Sequence, residues 1–305
     1  MLLLFAFFAL SRGTALSAGI SIEPGQILIQ NVPPGTSYDI FEKTGIELKV
    51  INLDTSTHSY SVFSAKPSEV STRDWLKGYV EIPDPSWFYF EKNELTIGPN
   101  DTAHVKMYLK IPADEEYYNQ HWTVAIPIEG APGKGPVEIK LALYPHFLIE
   151  TENKTPVKDK PYGLLGIEPS IALLKDGQLG KAIRTRVIIY NNDKINHVYR
   201  LSAVAPKLIS ETKKQEISPS PGYSWIPDVK WVKLNPGKLL GNFFPAKDIK
   251  VGAGKSSSFP IEVLIPQKDE YLGQKWEVII MAEPKGQTLA GQAGFVRLRV
   301  ETQSK

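Results

Sequence analysis

The side chains able to do chemistry in this chain come in matched sets. Asn52, Asp54, His58 and Tyr60 recur as Asn191, Asp193, His197 and Tyr199 with the same spacing. Histidine beside carboxylate is a metal-ligating combination, but each set holds one histidine, and single histidines in separate halves build no local metal site. The asparagines each precede an aspartate at a strand end and are expected to form Asx-turns. The histidines are expected to pack in their strands and bond a loop carbonyl. The acidic runs Asp114-Glu115-Glu116 and Asp269-Glu270 carry the oxygen donors that calcium takes, without the dense ligand loop of a strong site, and read as solvated turn charges.

The chain has five histidines (His58, His104, His121, His146 and His197), and none falls in an HExxH or other paired-ligand spacing. No G-x-S-x-G elbow, phosphate-cradling glycine loop or dinucleotide fingerprint occurs. No catalytic residue, metal ligand or cofactor is therefore assigned, and the chain is expected not to be an enzyme.

Aromatic residues are the better candidates for binding. Trp87-Phe88-Tyr89-Phe90 is a run of four on an expected strand. Alternation sends either Trp87 and Tyr89 or Phe88 and Phe90 outward, to solvent, to the other half or to a partner. Phe243 and Phe244 sit in a loop insertion, where they form either a sticky site or a plug over their own sandwich.

The matched sets belong to a longer duplication. Ile82-Pro83-Asp84-x-x-Trp87 recurs as Ile226-Pro227-Asp228-x-x-Trp231. Ile111, Pro112, Glu116, Tyr117, Gln120 and Trp122 recur as Ile265, Pro266, Glu270, Tyr271, Gln274 and Trp276. Trp122 and Trp276 fall on the apolar phase of alternating strands and are expected at the sandwich centres, and Tyr117 and Tyr271 are placed to bond their hydroxyls back to the main chain. The Ile-Pro-Asp segments read as bends capped by Asp84 and Asp228.

The elements that must position these residues alternate with period two. Val105, Met107, Leu109 and Ile111 alternate with polar residues, as do Phe259, Ile261, Val263 and Ile265. Val137, Ile139, Leu141 and Leu143 end the first half; Val296, Leu298 and Val300, alternating with Arg297 and Arg299, end the second. Strands of this kind bury one face and wet the other, as in antiparallel sheets. About seven per half is the count of an immunoglobulin-like sandwich, and no stretch sustains a helical period. The expected fold is all-β: two tandem immunoglobulin-like antiparallel β-sandwiches related by internal duplication. The expected organisation is a signal peptide over 1–18, a sandwich over 19–150, a polar, proline-flanked linker over 151–161 and a second sandwich over 162–303. Insertions are expected around Val32–Thr36 in the first half and Leu239–Pro245 in the second.

Composition narrows the setting. Lys+Arg 35 against Asp+Glu 33 leaves a formal charge of +2 and no basic block, which argues against nucleic acid. Leu2–Leu10 is almost wholly apolar and is followed by small residues up to Ala18, the pattern of a secretory leader, although no Lys or Arg follows Met1. The apolar stretch is short of the ~20 residues a spanning helix needs, so the mature chain is expected to carry no transmembrane anchor. Cysteine is absent, so there is no disulfide or thiol chemistry.

The segment from Trp87 to Ile128, with its strand, Gly98-Pro99-Asn100 turn, alternating strand and Ile-Pro-Ala-Asp corner, resembles bacterial extracytoplasmic immunoglobulin-like modules. These are the N-terminal domain of WxL-interacting proteins and the pilus-chaperone-like and major-sperm-protein-like sandwiches. Leu95 to Thr102 looks like their hairpin. Neither the membrane helix of the first nor the cleft Arg and Lys pair of the second maps onto the chain, so no site residue is carried over. The resemblance implies an exported, non-catalytic binding or scaffold protein of the cell envelope, in the periplasm or at the surface. Its partner would be an envelope or surface protein, or a cell-wall or surface polysaccharide, met through loops and strand edges. The alternatives are a periplasmic pilus-chaperone-like protein assisting surface-fibre assembly and a carbohydrate-binding accessory module.

Overall fold

The computed structural model describes residues 19–70, 76–131, 141–204, 217–234, 246–286 and 293–304. The expected signal peptide, the second-half insertion, and Phe243 and Phe244 lie outside the described residues.

The first half comprises β1 Ile20–Glu23, β2 Gln26–Val32, β3 Ser37–Asp39, α1 Ile40–Thr44, β4 Leu48–Asn52, β5 His58–Val62, β6 Val80–Glu81, β7 Phe88–Phe90, β8 Glu94–Ile97, β9 Thr102–Val105, β10 Met107–Lys110, β11 His121–Ala125, β12 Ile128–Gly130, β13 Ala142–Leu143 and β14 His146–Thr151. The second comprises β15 Leu165–Glu168, β16 Ile171–Gly177, β17 Ala182–Asn191, β18 His197–Val204, β19 Ser224–Trp225, β20 Val232–Leu234, β21 Ala246–Val251, β22 Ser256–Leu264, β23 Lys275–Pro284 and β24 Gly294–Thr302.

In the second half the order β15-β17-β22-β20 makes one layer and β16-β24-β23-β18-β21 the other. The first half breaks the same two layers into shorter pieces: β1-β4-β9 with β3-β10-β7, and β2-β14-β11-β6 with β13-β12-β5-β8. This is a tandem pair of immunoglobulin-like sandwiches. Each half opens with a strand that serves both layers. β1 pairs antiparallel with β4, then the chain crosses over and β2 pairs parallel with β14. β15 and β16 do the same with β17 and β24.

The register carries the duplication further than the motifs do. Ile20 faces Asn52 as Leu165 faces Asn191, and Val32 faces Thr151 as Gly177 faces Thr302. Both parallel pairs slip just before that last pairing, where Asn31 and Asp176 take φ of 57° and 55°. Asn and Asp are the non-glycine residues that best tolerate that left-handed conformation, as a bulge requires.

Register also corrects the place of the first-half insertion. Val32 to Ser37 and Gly177 to Ala182 are connections of equal length, and Gly35 N–H donates to the Ile111 carbonyl as Gly180 N–H does to that of Ile265. The surplus lies between Asp39, which faces Tyr108, and Leu48, which faces Val105; their counterparts are Arg184 and Val187, facing Glu262 and Phe259. That surplus forms α1. Asp39 Oδ1 accepts from Glu42 N–H at 2.9 Å, Gly45 closes the C-terminus at φ 72°, and buried Ile40 pins the turn to the core. An insertion capped at both ends satisfies its own main chain and leaves the sheet register untouched.

Each sandwich has its own core. Trp122 is fully buried in the first and Trp276 nearly so in the second, as the alternation predicts. A third apolar cluster lies in the seam between the halves: Leu76, Tyr79 and Leu148 meet Ile217, Ile279, Met281 and Phe295. The two sandwiches therefore share an apolar contact.

Candidate functional site

The repeated Asn-Asp-His-Tyr sets form the same network twice. Asn52 Nδ2 donates to the carbonyls of Ser56, Ile97 and Gly98 at 2.7, 3.1 and 2.8 Å; Asn191 Nδ2 donates to those of Ile195, Val251 and Gly252 at 2.8, 3.1 and 3.1 Å. Their Oδ1 atoms accept from the N–H groups of Asp54 and Asp193, the expected Asx-turns. The histidines do not bond a carbonyl: His58 Nε2 lies 2.7 Å from Asp54 Oδ2, and His197 Nε2 lies 2.7 Å from Asp193 Oδ2. A carboxylate two residues past each asparagine stands closer to the imidazole than any loop oxygen. Those hydrogen bonds hold Asp54 and Asp193 below the usual carboxylate range. The hydroxyls that bond back across the strand are those of Tyr60 and Tyr199, each donating to its asparagine at 3.3 Å. Tyr117 and Tyr271 stand instead in aromatic triads. Trp87, Tyr117 and Trp122 lie 5.0 to 5.8 Å apart, and Trp231, Tyr271 and Trp276 lie 5.1 to 5.6 Å apart. These sets tie loops to sheets and leave no open functional group between them.

The aromatic run resolves clearly. Phe88 and Phe90 are buried in the core, and Trp87 packs against it as part of its triad. Tyr89 alone turns outward, 39% exposed, with its ring stacked on Tyr108 at 5.3 Å. Glu115 of the acidic loop is not a free turn charge: it pairs with Lys154 and accepts from Lys158 N–H at 3.2 Å, which lowers its pKa. Among the described residues no group of three His, Asp or Glu side chains converges as a metal site, and no helix is long and apolar enough to cross a membrane.

The largest polar assembly is one the alternation pattern concealed. Arg297 and Arg299 were expected on a wetted face of β24, yet Arg297 is 0% exposed. Its guanidinium reaches Glu150 across the seam at 2.7 Å and Glu277 of the neighbouring strand at 2.5 Å, and donates to the Ser218 carbonyl at 3.1 Å. Arg299 holds the other oxygen of Glu277 at 3.0 Å. Tyr79 and Gln30 donate to Glu150 at 2.5 and 2.7 Å. Beside them His121 stacks on Phe295, ring centroids 3.9 Å apart. Period two told that β24 has two faces, but not that the first sandwich covers the second of them.

Electrostatics in the seam follow from burial. Desolvation drives His121 down to about 4, against the pull of Glu150, so it is neutral in the folded protein. Burial acts to raise Glu150, but Arg297, His121 and the Tyr79 hydroxyl outweigh it and hold the carboxyl at about 2. Such a fully satisfied ion network fixes the geometry of the two sandwiches more than it adds net stability.

Outside the seam the structure leaves a strand edge open. β13 pairs with β12 on its inner side and has no strand on its outer side among the described residues. The Leu141 carbonyl accepts from Gly130 N–H at 2.8 Å, so Leu141 and Leu143 spend their main-chain groups inward, and those of Ala142 point away from the sheet. The gap exists because β1 crosses to the other layer: β2 begins its pairing with β14 at Gln26 opposite His146, beyond β13. Beside the crossover opens a cleft of about 630 Å³ lined by Glu23, Pro24, Gln26, Ile27, Ile46, Glu47 and Lys49.

No protein-family model matches the chain, and no curated protein sequence matches it. Similar solved structures exist at low identity. A protein of unknown function from Porphyromonas gingivalis W83 is 11% identical over 92% of this chain and 99% of its own, with a TM-score of 0.34. The E. coli chaperone DraB is 10% identical over 94% and 98%, with a TM-score of 0.30. A PapD-like domain of human CEP192 is 14% identical over 50% of this chain and 97% of its own, with a TM-score of 0.31. The resemblance to pilus-chaperone-like sandwiches is one of fold alone.

Proposed function

We propose that this chain is an exported, non-catalytic binding protein of the bacterial cell envelope that takes a protein partner by strand addition at the outer edge of β13. The observation that carries this reading is the main chain of Ala142, which has no partner among the described residues and is flanked by the apolar Leu141 and Leu143. An open edge with apolar residues is what a partner strand completes, main-chain bonds supplying affinity and side chains the choice of partner. The alternation continues upstream in Val137 and Ile139, which lie outside the described residues.

The test is capture from envelope extract on the immobilised protein, followed by hydrogen exchange on the complex. The Ala142 amide is expected to slow its exchange on binding. Ala142→Pro, which removes the outward donor and leaves the β12 ladder in place, is expected to lose capture, whereas Ala142→Gly keeps it. A partner retained by Ala142→Pro, with no protection at Ala142, overturns the reading. A captured surface-fibre subunit would narrow the role to a chaperone-like one.

A further inference from the structure

One row of the outer sheet face differs between the halves in kind. In the second sandwich Arg184, Glu262 and Lys233 stand side by side across β17, β22 and β20. They form an ion row, Arg184 to Glu262 at 3.0 Å and Lys233 to Glu262 at 3.4 Å. The same row in the first sandwich is Asp39, Tyr108 and Tyr89 across β3, β10 and β7. There the two tyrosine rings lie nearly parallel, 20° apart, and Ser37 Oγ meets the Tyr89 hydroxyl at 3.3 Å. The fold thus tolerates a fully charged row at these positions, and the aromatics are not needed to hold the sheet together.

We infer that this face of the first sandwich is a binding site for a neutral saccharide chain. β10 is paired on both sides, by β3 and β7, so the strand beneath the ring pair offers no free main-chain group and recognition at the rings runs through side chains. The side chains offered are flat apolar rings with hydroxyl tips, edged by Ser37, Asp39 and the exposed Lys110 that faces Ser37 across the strands. Rings apolar in the body and polar at the tip match a sugar ring, which presents a C–H face and a hydroxyl rim. Asp39 and Lys110 oppose each other in charge, so the strip favours neither an anionic nor a cationic polymer. A protein partner needs an extended apolar centre, which two rings among polar neighbours do not supply. The site is separate from the β13 edge, and either proposal can fail without the other.

The experiment titrates the full chain with soluble neutral hexasaccharides of glucose, N-acetylglucosamine, mannose and galactose, and with polygalacturonate, by calorimetry and NMR. At least one neutral hexasaccharide is expected to bind and to shift tyrosine ring signals. Tyr89→Ala is expected to weaken it about tenfold, the loss of one ring contact. Tyr89→Lys with Tyr108→Glu, which puts the Lys and Glu of the second sandwich in place of the two rings, is expected to abolish binding with an unchanged circular dichroism spectrum. Ala142→Pro is expected to bind saccharide like the parent. Silence of the parent with every neutral probe, binding of polygalacturonate alone, or binding that survives both tyrosine variants overturns the inference.

Discussion

The two sandwiches are near-copies that have been put to different use. Both keep the Asn-Asp-His-Tyr network to within a few tenths of an ångström, the Trp-Tyr-Trp triad, and the opening strand that crosses between layers. They differ in α1, in the aromatic row against the ion row, and in the last strand, which is broken into β13 and β14 in the first half and runs unbroken as β24 in the second. Features present twice are explained by what a sandwich needs. Features present once are where a particular role can reside. The seam is a third category, since Glu150 comes from one copy and Arg297 and Glu277 from the other.

That sorting can be broken by experiment. The largest effect is expected in the seam. Arg297→Ala leaves the buried Glu150 without its counter-charge and Glu277 with Arg299 alone, and should cost about 3–5 kcal/mol. Denaturant unfolding should then split into two transitions, because the ion network ties the sandwiches into one unit. A single transition with little loss would mean that the apolar seam cluster alone couples the copies.

The pH dependence comes next. His121 is neutral when folded, with its pKa at about 4, and titrates near its ordinary 6.5 when unfolded. Its contribution is complete above 6.5 and is lost as the pH falls toward 4, an expected decline of about 3 kcal/mol. Glu150, held low, loses its own contribution further down, below the ordinary carboxylate range. His121→Phe, which keeps a ring against Phe295, should flatten the decline between pH 6.5 and 4 in urea titrations. A slope unchanged in that variant would show that another group carries the acid sensitivity.

A smaller effect sharpens the comparison itself. Asn52→Ala and Asn191→Ala each strand three carbonyls at a strand end, and each should cost about 1–3 kcal/mol by thermal unfolding. Equal losses mark the network as scaffold in both copies. A silent substitution in one half would mean that its network had lost that role.

Much of the architecture was legible before any coordinates. Alternation identified the strands and the core face of Trp122 and Trp276, and the repeated motifs identified two copies. The candidate sites were far less legible. Within Trp87-Phe88-Tyr89-Phe90 period two left both phases open, and packing chose Tyr89 as the outward ring. The insertion was misplaced because Val32-Pro33-Pro34-Gly35-Thr36 looks like a loop, while the surplus residues in α1 look like sheet. Only register could tell them apart. Arg297 and Arg299 read as solvated because charged residues alternating with valine and leucine are normally wet.

What the chain's letters determined by themselves is local: which residues face a core, where turns fall, and that one sandwich was made twice. Those follow from side-chain period and turn chemistry, which act over a few residues. Tertiary structure alone decided what covers each outer face. Arg297 is buried because Glu150 arrives from 147 positions away to pay for its desolvation. Tyr89 is exposed because nothing among the described residues folds over it. Burial of an outer face depends on docking between distant segments, and no local pattern encodes which segment will arrive.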